Sequence, residues 1–202
     1  MQNAILAGYE ADAADLIEKY ESVSCETLFA PVSDFWSGRA GRLLDIGAGT
    51  GRNAAHFANL GYRVLAVEPT PSLRAFGVRR HAHEAIEWLD DRLPELKRLG
   101  ERAARFDLLL ICAVWQHLDE AEREEALPRL TERALPGGRI VISLRRGPGA
   151  PNRPVFALDP DAEEARLKRC GWRILRRCES ESIQADNRAA GVRWTWLVGE
   201  RP

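Results

Sequence analysis

From residue 42 onward the chain repeats one pattern, and that pattern restricts its fold more than any other feature. Seven short apolar runs occur, at 43–46, 64–67, 86–89, 106–114, 139–144, 172–175 and 192–198, each of strand length and bounded by Gly, Pro or charged residues. Amphipathic helical segments separate most of them. One spans 53–60 and is closed by Gly61. A second opens at Asp119, with Glu122 in capping-box register, and carries Ala126, Leu127, Leu130 and Ala134 on one face. A third opens at Asp159-Pro160 and closes at Gly171. Strands that alternate with helices build a parallel sheet with crossover helices on both faces. The last two runs break the alternation, because only the polar stretch 178–191 lies between them. They are expected to form a hairpin, which makes one strand antiparallel. Pro128 falls inside the second helix, where a proline costs about 3 kcal/mol, so a kink or an early helix end is expected there.

The first forty residues read differently. Tyr9, Ala13, Leu16, Ile17 and Tyr20 recur at helical spacing, and Leu28, Val32, Phe35 and Trp36 form a second stripe that Pro31 divides into a short helix and a turn. A chain of 202 residues fits one domain, here a helical segment over 1–41 and an α/β domain over 42–202. The charges balance, 29 basic against 30 acidic, so no field of one sign covers the molecule and gross electrostatics does not point to a nucleic acid or an anionic membrane. Of the basic residues 26 are Arg and 3 are Lys. The longest apolar run, 108–115, is far short of the ~20 residues that span a bilayer, and no basic region followed by an apolar stretch opens the chain. The four cysteines form no C-x-x-C pair. These features predict a cytoplasmic protein of a reducing compartment, a monomer or homodimer.

The loop between the first run and the first helix reads Leu43-Leu44-Asp45-Ile46-Gly47-Ala48-Gly49-Thr50-Gly51-Arg52. Glycines at a strand-to-helix turn let the backbone approach a ligand and aim helix N-terminal amides at it. A dinucleotide fingerprint would need a third glycine where Arg52 stands, so G-x-G-x-G favours a ligand without phosphate.

The stretch D-I-G-A-G-T-G resembles motif I of the class I S-adenosylmethionine-dependent methyltransferases, and the resemblance runs from about Arg42 to the C-terminus. It implies a doubly wound, seven-stranded, mostly parallel sheet of order 3-2-1-4-5-7-6. It also implies S-adenosyl-L-methionine as cofactor, with S-adenosyl-L-homocysteine as product. Within that superfamily the chain is most similar to small stand-alone enzymes with diffusible acceptors. The resemblance assigns Asp45, Gly47, Ala48, Gly49 and Gly51 to the cofactor loop. Glu68, followed by Pro69 at the end of the second strand, becomes the ribose ligand, since a carboxylate there accepts from both hydroxyls. Either Asp90 or Asp91 meets the adenine amino group, Asp90 being preferred because it directly follows the apolar run. Cys112 and Ala113 face the methionine end. Trp115, Gln116 and His117 border the acceptor, and Leu135-Pro136-Gly137-Gly138-Arg139 resembles the family's turn before strand five. The segment 1–41 corresponds to a lid, where Tyr9 and Tyr20 either meet the cofactor carboxylate or pack on the sheet.

Methyl transfer from a sulfonium is a task of alignment, with proton removal when the acceptor is a hydroxyl, thiol or ammonium. His117 is the candidate base, or else a structural hydrogen-bonding residue beside the cofactor. Trp115 either lays its ring against the sulfonium or sits in the core. Arg52, Arg145 and Arg146 could pair with an acidic acceptor. His81 and His83 are expected to be solvated, with no metal site. The favoured reading is a methyltransferase for a small-molecule acceptor. An RNA or protein methyltransferase and a non-catalytic S-adenosylmethionine-binding module are the alternatives. Ala113-Val114-Trp115-Gln116 stands where base-methylating enzymes carry an acidic or Asn residue, two prolines and an aromatic, so no nucleic-acid partner is expected.

Overall fold

The computed structural model describes residues 1–36, 38–83 and 85–202. Three helices come first, α1 (Gln2–Ala11), α2 (Ala13–Glu21) and α3 (Cys25–Phe29), followed by a 3-10 turn at Ser33–Phe35. Then come β1 (Arg42–Ile46), α4 (Arg52–Asn59), β2 (Arg63–Val67), α5 (Pro71–Arg80), β3 (Ile86–Leu89), α6 (Lys97–Gly100) and β4 (Phe106–Ile111). A 3-10 turn at Trp115–His117 leads to α7 (Glu120–Arg133), β5 (Ala134–Arg146), α8 (Pro160–Arg169), β6 (Arg173–Glu181), α9 (Ala185–Ala189) and β7 (Arg193–Glu200). The strands form one seven-stranded sheet of order β3-β2-β1-β4-β5-β7-β6. β1 to β5 pair in parallel, and β7 runs antiparallel to both β5 and β6. Both the expected order and the expected hairpin are present.

Side chains alternate across this sheet with period two, and the two faces feed separate cores. Leu44, Ile46, Leu109, Ile111, Ile140, Ile142, Leu144 and Leu197 pack with Ala126, Leu127 and Leu130 of α7 and Leu167 of α8. Leu43, Leu108, Leu110, Val141, Trp196 and Val198 pack on the other face with Phe29 and Trp36 of the N-terminal segment and Ala54, Phe57 and Ala58 of α4. This parity decides which strand-end residues reach the site.

Local signals hold where capping chemistry carried them. The Asp119 carboxylate accepts from Glu122 N (2.9 Å) and the Glu122 carboxylate accepts from Asp119 N (2.8 Å). Asp159 accepts from Asp161 N (3.0 Å). Several boundaries differ from expectation. β4 ends at Ile111, three residues before the apolar run does, because Ala113 takes a left-handed backbone (φ 59°) that stops the ladder. β5 begins at Ala134 and carries the Pro136-Gly137-Gly138 stretch as an irregularity of the ladder, so this stretch is no separate turn. β6 runs on to Glu181, since the hairpin gives the residues of this polar edge strand partners on β7, with Leu175 skipped at a register shift. α7 does not end at Pro128, which is exposed while Ala126, Leu127 and Leu130 anchor the inner face.

Candidate active site

The carboxyl ends of β1, β2 and β4 open into a cleft of about 1030 Å³. Its floor is the glycine loop. Gly47 N and Ala48 N donate to Val67 O (2.8 and 3.0 Å), which ties the loop to β2. Gly47 has φ 70°, and a Cβ there would lie 2.3 Å from Val114 Cγ2. Only glycine lets the post-β4 loop close on this turn.

Glu68 is buried at the tip of β2. One carboxylate oxygen accepts from Gly49 N and the other from Thr70 N, each at 2.7 Å. Burial pushes its pKa up while these hydrogen bonds oppose the rise. The carboxylate is thus fixed against the glycine loop in the cleft wall, with further acceptor capacity on each oxygen. Asp91 also lines the cleft, its oxygens accepting from Arg92 N (2.9 Å) and Leu99 N (2.8 Å). The preference for Asp90 is not supported by position. Asp90 is half-exposed, pairs with Arg74 (3.2 Å) and Arg98 (3.7 Å), and is outside the cleft lining. The apolar run ends at Leu89, and the strand parity that buries Leu89 turns Asp90 outward and Asp91 back in.

Gly49, Pro69, Cys112 and Ala113 all line the cleft. Ala113 N donates to Ser143 Oγ (2.8 Å) and its carbonyl accepts from Gln116 Nε2 (2.6 Å), which hold its left-handed backbone. Burial pushes the Cys112 thiol up to about 11, so it is no nucleophile at neutral pH. Asp45 lies below the loop, fully buried, with neither carboxylate oxygen hydrogen-bonded, and burial pushes its pKa up to about 7 against the opposing charge of Arg52. It is absent from the cleft lining, although Gly47 to Gly49 beside it are present. Apolar residues that the sequence did not single out complete the wall: Ile5, Leu6, Leu73, Leu93 and Val114. Their types are those of any core position, so nothing in the sequence separated them from it.

A second, larger chamber of about 2220 Å³ adjoins the first, and Tyr9, Tyr20, Arg52, Cys112, Ala113 and His117 line both. His117 sits at this junction in the 3-10 turn after β4 and is largely buried. Its Nδ1 lies 3.0 Å from the Pro154 carbonyl, which only accepts, so Nδ1 carries the proton. Nε2 is then a lone pair and accepts from Tyr9 Oη at 2.8 Å. Burial lowers the His117 pKa and raises that of Tyr9 well above the usual value. Both groups are therefore neutral at physiological pH. Gln2 Nε2 donates to His117 O (2.8 Å) and to Glu122 (2.9 Å), fastening α1 over the junction. Arg52 donates to Tyr20 O (2.8 Å) and to Asn53 Oδ1, which ties α2 to the glycine loop.

Trp115 takes the core place of its two expected ones, and Arg146 and His81 stand elsewhere than expected. Trp115 is only 1% exposed, lines neither cavity, and donates from Nε1 to Glu163 (2.8 Å) within a buried cluster with Arg123 and Arg166. The early end of β4 turns its indole into the core, away from any sulfonium. Arg145 and Arg146 separate by strand parity. Arg145 lines the second chamber, whereas Arg146 pairs with Glu179 (2.6 Å) and lines neither cavity. His81 is not solvated but pairs with Glu21 at 3.1 Å. Among the described residues no group of three or more His, Cys, Asp or Glu could hold a metal, and no helix is long and apolar enough to cross a membrane.

Residues 44–140, just under half of the chain, match the family described as a methyltransferase domain. A ubiquinone biosynthesis O-methyltransferase of Methylocella silvestris is 40% identical over 78 residues, 38% of this chain and 30% of that protein, so the alignment spans less than a third of that relative. The 1,6-didemethyltoxoflavin-N1-methyltransferase of Burkholderia thailandensis, solved with 1,6-didemethyltoxoflavin and S-adenosylhomocysteine, superposes with a TM-score of 0.77 at 20% identity, covering 99% of this chain and 88% of that one. The N-methyltransferase NodS of Bradyrhizobium japonicum does so with a TM-score of 0.67 at 18% identity, covering 92% and 97%. The glycine loop thus lies within the stretch that matches a methyltransferase domain, and the seven-stranded sheet of order 3-2-1-4-5-7-6 around it shares its fold with these solved methyltransferases.

Proposed function

We propose that the chain is an S-adenosylmethionine-dependent methyltransferase, with the cofactor in the first cleft and a small-molecule acceptor in the second chamber. The observation that carries this reading is Glu68, a buried carboxylate held by two backbone amides beside the glycine loop. It suits a cis-diol. The rest of the cleft fits the same group. Asp91 and Leu93 stand on the side suited to an adenine, Gly49 opens the floor beneath the Tyr20 ring (3.6 Å from a would-be Cβ), and Arg52 stands where an amino acid carboxylate would enter. Carboxylates at Glu68 and Asp91 suit a cationic ligand.

S-adenosylmethionine supplies an activated sulfonium methyl group. What remains for the protein is alignment and a proton. At the junction, Tyr9 Oη takes the acceptor's proton while its own passes to His117 Nε2, and the Pro154 carbonyl stabilises the resulting imidazolium through Nδ1–H. α1 and α2 close over both ligands as a lid. Tyr9 and His117 thus contact the acceptor from opposite sides of one hydrogen bond. The four free cysteines suit a reducing, cytoplasmic setting.

Calorimetric titration with S-adenosylmethionine, S-adenosylhomocysteine and NAD tests the cofactor. Binding of the first two and not the third is expected. Binding of NAD alone overturns the reading. Cofactor binding without methyl transfer to any member of a metabolite panel would favour a non-catalytic binding module.

A further inference from the structure

The second chamber carries a charge that the protein leaves uncompensated. Parity puts Ser143 and Arg145 of β5 and Trp194 and Trp196 of β7 on its wall, with Arg145 paired to Trp194 and Ser143 to Trp196 across the ladder. The cations that line it are Lys19, Arg52, Arg145 and Arg153, against one carboxylate, the exposed Asp186. Three of these cations differ from Arg145. Lys19 is exposed to solvent, Arg153 forms an ion pair with Asp12, and Arg52 has the buried Asp45 in its surroundings. Arg145 is half-buried and has only neutral partners. Its Nε and Nη2 donate to Pro148 O (3.2 and 2.7 Å), and Nη2 also donates to Asn187 Oδ1 (3.1 Å). Its guanidinium stacks on Trp194, 5.6 Å from the ring centroid, and Nη1 donates to none of the described residues.

Arg123, Arg146, Arg166, Arg176 and Arg177 each meet a carboxylate. Arg133, Arg188 and Arg201 donate to backbone carbonyls instead, but they line neither cavity, so Arg145, unlike them, presents such a guanidinium to the chamber. A guanidinium withdrawn from water without a counter-ion is costly, and a forked donor is suited to a carboxylate or phosphate. Burial accordingly lowers the Arg145 pKa, and its charge is among those that depress His117.

We infer that the acceptor is a small organic acid or phosphate monoester whose oxyanion docks on Arg145 beside the face of Trp194. This rests on the methyltransferase reading and names its substrate class. The docked anion would also relieve the repulsion between Arg145 and a protonated His117, so the base becomes stronger once the acceptor is in place.

The test is titration of the chain, with and without saturating S-adenosylhomocysteine, with benzoate, 4-hydroxybenzoate and phenyl phosphate, and with benzamide and 4-hydroxybenzamide as uncharged, ring-matched controls. The anions are expected to bind at least tenfold tighter than the amides. Arg145→Gln should abolish that preference and Arg145→Lys restore part of it, while Arg146→Gln, on the other face of the strand, leaves it intact. The tighter of benzoate and phenyl phosphate identifies the head group. Equal binding of acid and amide, no saturable binding of any anion, or a preference that survives Arg145→Gln overturns the inference. The wild-type ratio decides the matter even if the glutamine variant does not fold. Failure to bind S-adenosylhomocysteine would instead count against the cofactor reading, independently of the anion preference.

Discussion

Tyr9 donates its phenol proton to His117 Nε2 across 2.8 Å, and the Pro154 carbonyl on Nδ1 makes that direction obligatory. The two residues are 108 positions apart and come from the N-terminal helix and the loop after β4. A neutral imidazole, fixed in one tautomer and bonded to a phenol at the meeting point of two cavities, can receive a proton but cannot donate one from Nε2. Nitrogen-detected NMR of the free protein should show His117 as the Nδ1–H tautomer, titrating below the usual ~6.5 because burial disfavours its charged form. An Nε2–H tautomer would contradict the relay.

Because the pair acts as a unit, Tyr9→Phe and His117→Ala should each slow turnover of a hydroxyl acceptor at least tenfold, and the double variant should be little worse than either alone. Rates of S-adenosylhomocysteine release measure this. Losses that multiply would mean the two side chains act separately.

Glu68→Ala should weaken S-adenosylhomocysteine binding at least tenfold, about 1.4 kcal/mol. Asp91→Asn should weaken it as well, whereas Asp90→Asn should not, since Asp90 pairs with Arg74 and Arg98 outside the cleft. Calorimetry on the three variants separates the two neighbouring acids.

Trp115→Phe should leave cofactor affinity unchanged and lower stability by about 1–3 kcal/mol, because it strips a donor from the buried Glu163. Calorimetry reads the first effect and the urea midpoint the second. A large loss of cofactor affinity with normal stability would return the indole to the site.

Asp45 gives a pH signature. Its folded pKa of about 7 lies above its ordinary 3.8, so the native state holds a proton that the unfolded chain releases between those values. Its contribution is fully present below about pH 4 and is lost as pH rises through about 7, a difference on the order of 4 kcal/mol. The stability of Asp45→Asn relative to the parent should therefore rise across that window and level off above it. A difference that stays flat between about pH 4 and 7 would mean that Asp45 is ionised in the folded state across that window.

The alternation of strands and helices, the hairpin and the glycine loop were legible in the sequence because each follows from local spacing, whereas the sheet order and the place of Glu68 came from the resemblance to a known family. Asp90, Trp115 and Arg146 stand away from the cleft because facing it depends on strand parity and on where a strand stops. Asp90 and Arg146 have the outward parity at the ends of β3 and β5, and β4 stops at Ile111, ahead of Ala113, whose left-handed backbone its residue type does not announce. The Tyr9–His117 bond and the Arg145 environment arise from packing between distant segments. They leave no spacing to read, although each residue had been a candidate by type.

The most direct measurement is a crystal structure of the chain grown with S-adenosylhomocysteine. The expected result is the ribose within hydrogen-bonding distance of the Glu68 carboxylate, the adenine on the Asp91 side, and the sulfur directed toward the junction of Tyr9, Ala113 and His117. Ligand density elsewhere, or a ribose that makes no contact with Glu68, would contradict the assignment of the cleft.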